Sequence, residues 1–219
     1  MSEAMHAIEP AGVAPEEIPR VYARLAPIYD VWARLTESRA RELAVAHVRD
    51  GEDVLEVAVG TGLAFEEVVR ANPNGRTEGV DLTAPMLARA RRKVAHLPGA
   101  HALQLGDARA LPFPDAAFDL VLNSYMLDLV PESDFPLVLG EFRRVLRPSG
   151  RLVLVNMAEL PPRLRATFVW LYRRAPRLLG GCRPVALAPF VERAGFRIQR
   201  RDVVTQLGVP SELILATAR

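Results

Sequence analysis

From Val54 onward, short apolar runs alternate with stretches of helical periodicity, and this alternation constrains the fold more than any other feature of the chain. Val54–Val57, Arg76–Val80, Ala102–Leu105, Phe118–Leu122 and Arg151–Asn156 read as strands. Ala64–Ala71, Pro85–Ala95, Phe135–Leu146 and Val185–Ala194 read as the helices between and after them. Thr83 precedes Pro85 as a helix cap, Pro148-Ser149-Gly150 makes a turn, and Gly195 stops the last helix. Two final runs, Arg197–Val204 and Leu213–Thr217, have no helix between them and are expected to pair antiparallel. The pattern predicts an α/β fold: seven strands in a doubly wound, mostly parallel sheet with helices on both faces. Phe118–Leu122 is almost wholly apolar, as a strand covered on both sides must be.

The segment from Glu16 to Arg49 is helical in pattern, with Val21, Leu25, Ile28 and Trp32 three or four residues apart. Pro27 predicts a break near Ala26, and Gly51 closes the second helix. Residues 1–16 are acidic and rich in Pro and Ala, and they lack the basic start and apolar block of a signal peptide. They read as a poorly ordered leader before a single domain over 17–219. Within that domain, 17–50 is a helical cap and 158–184 an insertion.

Ligands of such sheets sit at the carboxyl ends of the strands, where strand order reverses. The first strand ends there as Ala58-Val59-Gly60-Thr61-Gly62 and runs into a helix. Glycine allows a sharp turn and lets a ligand approach the backbone, although a tight turn alone uses the same residues. Asp81 ends the second strand, placed to accept the two hydroxyls of a ribose or to cap the following helix. Asp107 follows the third strand, placed to accept from an adenine amino group or to shape a turn. Three such features on successive strand ends point to a nucleoside. A nicotinamide dinucleotide is excluded because the third small residue of its fingerprint would fall on Phe65 or Leu63, and no Gly-Lys-Ser/Thr marks a P-loop.

The runs Tyr22 to Asp30, Val54 to Gly62, Gly79-Val80-Asp81, Gly106-Asp107-Ala108, Leu111-Pro112-Phe113, Phe118 to Val121 and Leu146 to Leu152 together resemble the class I S-adenosylmethionine (SAM)-dependent methyltransferases. The similar branch contains the ubiquinone/menaquinone-biosynthesis C-methyltransferases and the bacterial phospholipid N-methyltransferases. The resemblance implies a Rossmann-like sheet with N-terminal helices covering the cofactor. It also implies S-adenosyl-L-methionine as cofactor and S-adenosyl-L-homocysteine as product. By the same resemblance Ala58, Gly60 and Gly62 form the cofactor loop, Glu56 helps fix the amino group, and Asp81 holds the ribose. Leu82 and Met86 flank the adenine, Asp107 and Ala108 hold its edge, and Asn123 lies beside the sulfonium. Tyr22 and Tyr29 come from the covering helices, Tyr22 either with a catalytic part through cation–π or hydrogen-bond attraction to the sulfonium or as a packed core residue. Asp128 stands where the branch often carries His and is the candidate general base, or else a surface or capping residue. Ala58 replaces a common glycine and fits if its φ is negative.

A net charge of +2 gives no footprint for nucleic acid. The four histidines show no ligand spacing, so no metal is expected. The single cysteine, Cys182, suits a reducing cytoplasm. Lys93 is the only lysine, and every other basic side chain is arginine. The segment 160–184 carries Arg163, Arg165, Arg173, Arg174, Arg177 and Arg183 with Phe168, Trp170 and Tyr172, and has no acidic residue. It reads as a solvated helical lid or as a peripheral contact with anionic lipid. The expected activity is methyl transfer to a small apolar or lipid-like acceptor, such as a quinone precursor or phenolic metabolite. The alternatives are N-methylation of a phospholipid headgroup, or nucleoside binding without transfer.

Overall fold

The computed structural model describes residues 30–160, 162–174 and 182–218. Tyr22, Tyr29 and the leader lie outside them. Helical residues 30–36 lead into α1 (Ser38–Val45). The alternating part follows as β1 (Asp53–Val57), α2 (Leu63–Ala71), β2 (Arg76–Asp81), α3 (Ala84–Val94), β3 (Ala100–Leu105) and β4 (Phe118–Ser124). A short 3-10 turn then leads into α4 (Phe135–Val145), β5 (Leu146–Met157), α5 (Pro162–Arg174), α6 (Ala188–Arg193), β6 (Phe196–Gln206) and β7 (Val209–Ala218).

The seven strands form one sheet in the order β3-β2-β1-β4-β5-β7-β6. β7 runs antiparallel to both of its neighbours, and the other pairs are parallel. The reversal of order falls between β1 and β4, where Val57 is paired with Asn123.

Side chains alternate between two cores, as the period of a strand requires. Leu55, Val57, Val121, Leu152 and Leu154 pack on one face with Phe135, Val138, Leu139 and Phe142 of α4. Val54, Leu120, Leu122, Val153 and Val155 pack on the other with Ala40 and Ala44 of α1 and Val68 of α2. The helices bury stripes at three- and four-residue spacing, for example Met86, Leu87, Ala90 and Val94 on α3.

Several local expectations need correction. Thr83 is the residue before α3 but makes no side-chain cap; its hydroxyl turns back to Asp81 instead. Gly51 does not close a helix, because α1 ends at Val45; its N–H goes to Asn72 Oδ1 at 2.9 Å. The expected helix over Val185–Ala194 starts only at Ala188, since the Val185 N–H is bound to the Met157 carbonyl. β5 takes in the Pro148-Ser149-Gly150 turn, with a register shift opposite Phe118–Leu120.

Candidate functional site

A cleft of about 1030 Å³, counting its open mouth, lies at the carboxyl ends of β1, β2, β3 and β4. Its floor begins at Val57 and Ala58 and continues through Gly60 and Thr61. Gly60 has φ 58°, and a Cβ built on it meets nothing within 4 Å, so its bare backbone faces open space. Gly62 has a different reason to be glycine. Its φ is 87°, and a Cβ there would lie 2.8 Å from Ala90 on α3. Gly62 does not line the cleft; it lets α2 and α3 approach each other.

Ala58 has φ 60°, so the negative φ expected for it is not found. Ala58 takes the left-handed region between β1 and Gly60 with its methyl group in place, a conformation that a Cβ disfavours.

Asp81 fixes the loop from inside. Oδ2 accepts the Gly60 N–H at 2.7 Å, while Oδ1 accepts the Thr83 N–H at 2.8 Å and the Thr83 hydroxyl at 2.7 Å. Asp81 thus braces the residue before α3 rather than the helix's first turn, and its Oδ2 keeps a lone pair free for a hydroxyl donor. Leu82 and Met86 line the cleft beside it, Leu82 half exposed and Met86 buried.

Asp107 and Ala108 line the opposite side. The Asp107 carboxylate is already bound by Arg109, through Nε and Nη2, and by the Arg109 N–H at 2.9 Å. These bonds from Arg109 hold the Asp107 carboxyl below its usual range, with burial opposing them. Arg109 also donates to Asp134 at 3.1 Å, tying the β3 loop to the turn before α4.

Two expected residues end one position short of the lining. Glu56, at 2% exposure, precedes Val57, and its Oε2 is buried with no partner. Burial first, and the nearby Glu67 second, push its carboxyl well above the usual range. Asn123 precedes Ser124, and its Nδ2 is bound to the Val57 carbonyl at 2.8 Å, bracing β4 against β1 at the switch point. Residues 124–126 and 129–131 form the far wall. Ser124 has a buried hydroxyl with no partner. Tyr125 stands at φ 53°, its hydroxyl bound to Ser211 Oγ at 2.7 Å and pushed upward in pKa by burial.

Asp128 is neither at the surface nor in the cleft. It is fully buried behind the wall, with Oδ2 accepting the Met157 N–H at 2.8 Å and Oδ1 unpartnered. Burial raises its pKa to about 8. A general base must reach the proton it takes, and this carboxyl is turned to a strand backbone instead. Among the described residues there is no cluster of metal ligands.

The residues present suit S-adenosylmethionine. Glu56 Oε2 lacks the donor that an ammonium would supply, Asp81 has a free lone pair beside the glycine loop, and Gly60 leaves its backbone open. Ser124, Arg109 and the 129–131 wall were not marked by any motif. Ser124 is visible in retrospect as the last residue of a strand at the ligand-bearing rim.

The sheet order, with a cleft at the strand ends, is that of the class I methyltransferase fold. A family described as "Methyltransferase domain" matches residues 54–150. A demethylmenaquinone methyltransferase of Thermus thermophilus is 38% identical over 173 residues, 74% of this chain and 76% of that protein. A phosphatidylethanolamine N-methyltransferase of Cereibacter sphaeroides is 40% identical over 145 residues, 64% of this chain and 68% of that one. The chain spans 62–76% of the length of six demethylmenaquinone and ubiquinone/menaquinone methyltransferases among those it matches. The fold is shared with the [4+2]-cyclase SpnF, at TM-score 0.77 and 18% identity, over 97% of this chain and 98% of that one. The chain belongs to the class I SAM-dependent methyltransferases.

Proposed function

We propose that the protein transfers the methyl group of S-adenosylmethionine to a small, largely apolar acceptor, a quinone precursor or phenolic metabolite. When bound, the cofactor supplies a methyl group on a sulfonium, a good leaving group. Gly60, Asp81 and Glu56 would hold its polar parts, Leu82 and Met86 its adenine faces, and Asp107 and Ala108 the adenine edge. The wall of Ser124, Met126, Leu129, Val130 and Pro131 would align the acceptor and exclude water.

The observation that carries this reading is the chemistry of that wall. Among its described residues, 124 to 131 present no carboxylate and no histidine to the cleft, and the next acid of the lining, Asp134, is bound by Arg109 at 3.1 Å. A site built this way suits an acceptor that is already nucleophilic, such as a phenolate or an activated ring carbon. The similarity to demethylmenaquinone methyltransferases supports the same class.

A second reading, N-methylation of a phospholipid headgroup, is favoured by α5. Trp170 is 56% exposed, with the Arg174 guanidinium 4.8 Å over its ring, and Arg163, Arg173 and Arg174 are at the surface. The basic, aromatic face is smaller than its composition implies, since Tyr172 is buried against Phe168 and Arg183 is fully buried. Arg177 lies outside the described residues. No described helix is long and apolar enough to cross a membrane.

The test is incubation with methyl-labelled SAM and a bacterial lipid extract. Label in an apolar phenolic or quinone fraction supports the first reading, and label in an aminophospholipid supports the second. Binding of S-adenosylhomocysteine with no labelled product would replace both with a nucleoside-binding protein that transfers nothing.

A further inference from the structure

Three residues that the cofactor assignments leave unused meet at the glycine loop. Asp30 is the last residue of the N-terminal run Tyr22 to Asp30, Lys93 is the chain's only lysine, and Thr61 stands between the two loop glycines. The Thr61 hydroxyl donates to Asp30 Oδ1 at 2.5 Å. Lys93 Nζ, from the last full turn of α3, donates to Asp30 Oδ2 at 2.6 Å and to the Thr61 carbonyl at 3.0 Å. Thr61 is thus held by its side chain and its main chain at once. It is 2% exposed, yet it forms part of the cleft lining.

The position matters because Gly60 and Gly62, on either side, both stand at positive φ. Glycine is the residue with the most backbone freedom to lose, so this loop has many shapes open to it unless something fixes the residue in the middle. Asp81 grips the loop at the Gly60 N–H from within the cleft. Asp30 and Lys93 grip it at Thr61 from the other side. The ion pair is partly shielded, with side-chain exposures of 24% for Asp30 and 20% for Lys93, so it is not a freely solvated surface pair.

We propose that Asp30 and Lys93 form a clasp that positions the glycine loop for the cofactor, and that they touch no part of the cofactor themselves. By setting Thr61, the clasp removes the ordering cost that binding would otherwise meet. It links the helix of residues 30–36 to the cofactor loop, so that loosening either one weakens the other. The inference rests on the reading of the cleft as a SAM site.

The experiment uses the full chain and S-adenosylhomocysteine, with Asp30→Ala and Lys93→Met. Calorimetric titration reads affinity, and amide hydrogen exchange of the ligand-free protein reads the loop. The clasp predicts binding about tenfold weaker in each variant and faster exchange at the amides of residues 60–62. Variants that lose stability but keep the dissociation constant within twofold, with unchanged exchange at 60–62, would overturn it and leave the trio a simple structural contact. If Asp30→Ala fails to fold, Lys93→Met decides alone, because it retains the Asp30–Thr61 bond and lies on a partly exposed helix face. If the parent protein does not bind S-adenosylhomocysteine, the cofactor reading falls, while the exchange comparison still decides whether the clasp holds the loop.

Discussion

The Arg183 guanidinium donates to the main-chain oxygen of Asp128 at 2.6 Å, while the Asp128 carboxyl turns the other way, to the Met157 N–H. A second bond from Arg183 reaches the Val130 carbonyl at 2.7 Å. The arginine is 1% exposed, so the end of the 160–184 segment is fastened to the cleft wall by a buried cation. Arg183→Met is expected to strand two carbonyls and lower stability by about 2–4 kcal/mol. Denaturant unfolding at pH 7 measures it; a change under about 0.5 kcal/mol, the level of an ordinary surface substitution, would contradict the assignment.

Asp128 also sets a pH dependence. Its folded pKa is raised by burial to about 8, above the roughly 3.9 of an unfolded Asp. The folded state therefore holds a proton that the unfolded state releases between those values. Its contribution is fully present below about pH 4 and is lost as pH rises toward 8, with a mid-range slope of about 1.4 kcal/mol per pH unit. Glu56 and Glu212, also raised by burial, act in the same direction. Asp128→Asn should flatten the fall in stability between pH 5.5 and 7.5. Parallel pH profiles for the variant and the parent would show that Asp128 is ionised in the folded protein.

Ala58 stands at φ 60°, where a Cβ costs about 1–2 kcal/mol. Ala58→Gly relieves that strain but frees the unfolded chain by about 0.4–1 kcal/mol. The net expectation is a gain of about 0.5–1 kcal/mol, seen as a higher unfolding midpoint. A clear loss would mean that the methyl group makes contacts worth more than the strain.

Trp170 and its neighbouring arginines give the lipid reading a direct check. At low salt the protein should co-float with vesicles containing anionic phospholipid and should release as salt rises. Trp170→Ala should reduce the floated fraction severalfold. No flotation at low salt would remove α5 as a membrane contact.

Much of the fold was legible because a doubly wound sheet writes itself into the chain as apolar runs. The central strands β1, β4 and β5 are buried on both faces and announce themselves; at β3, on the sheet edge, the strand starts two residues earlier than the apolar pattern shows. Asp81 was legible as a strand-end acid with a local partner in Thr83, but its bond to the Gly60 N–H, 21 residues back, was not. Asp30 and Lys93 were not, because 63 residues separate them and only the packing of α3 beside the loop brings them together. Arg183 reads in sequence like any arginine of its segment, and nothing local shows that two orphan carbonyls would draw it inside. The positive φ of Ala58 was hidden for the opposite reason: alanine says nothing of a conformation imposed by the path of the loop.

The central claim is that the tips of β1, β2 and β3 bind the nucleoside of S-adenosylmethionine. Titration calorimetry with S-adenosylhomocysteine, on the parent and on Asp81→Ala, tests it most directly. The account predicts one site per chain in the parent and binding weaker by about tenfold to a hundredfold in the variant, which loses the proposed ribose acceptor and the anchor of Gly60. No heat of binding in the parent, or equal affinity in the two proteins, would contradict it.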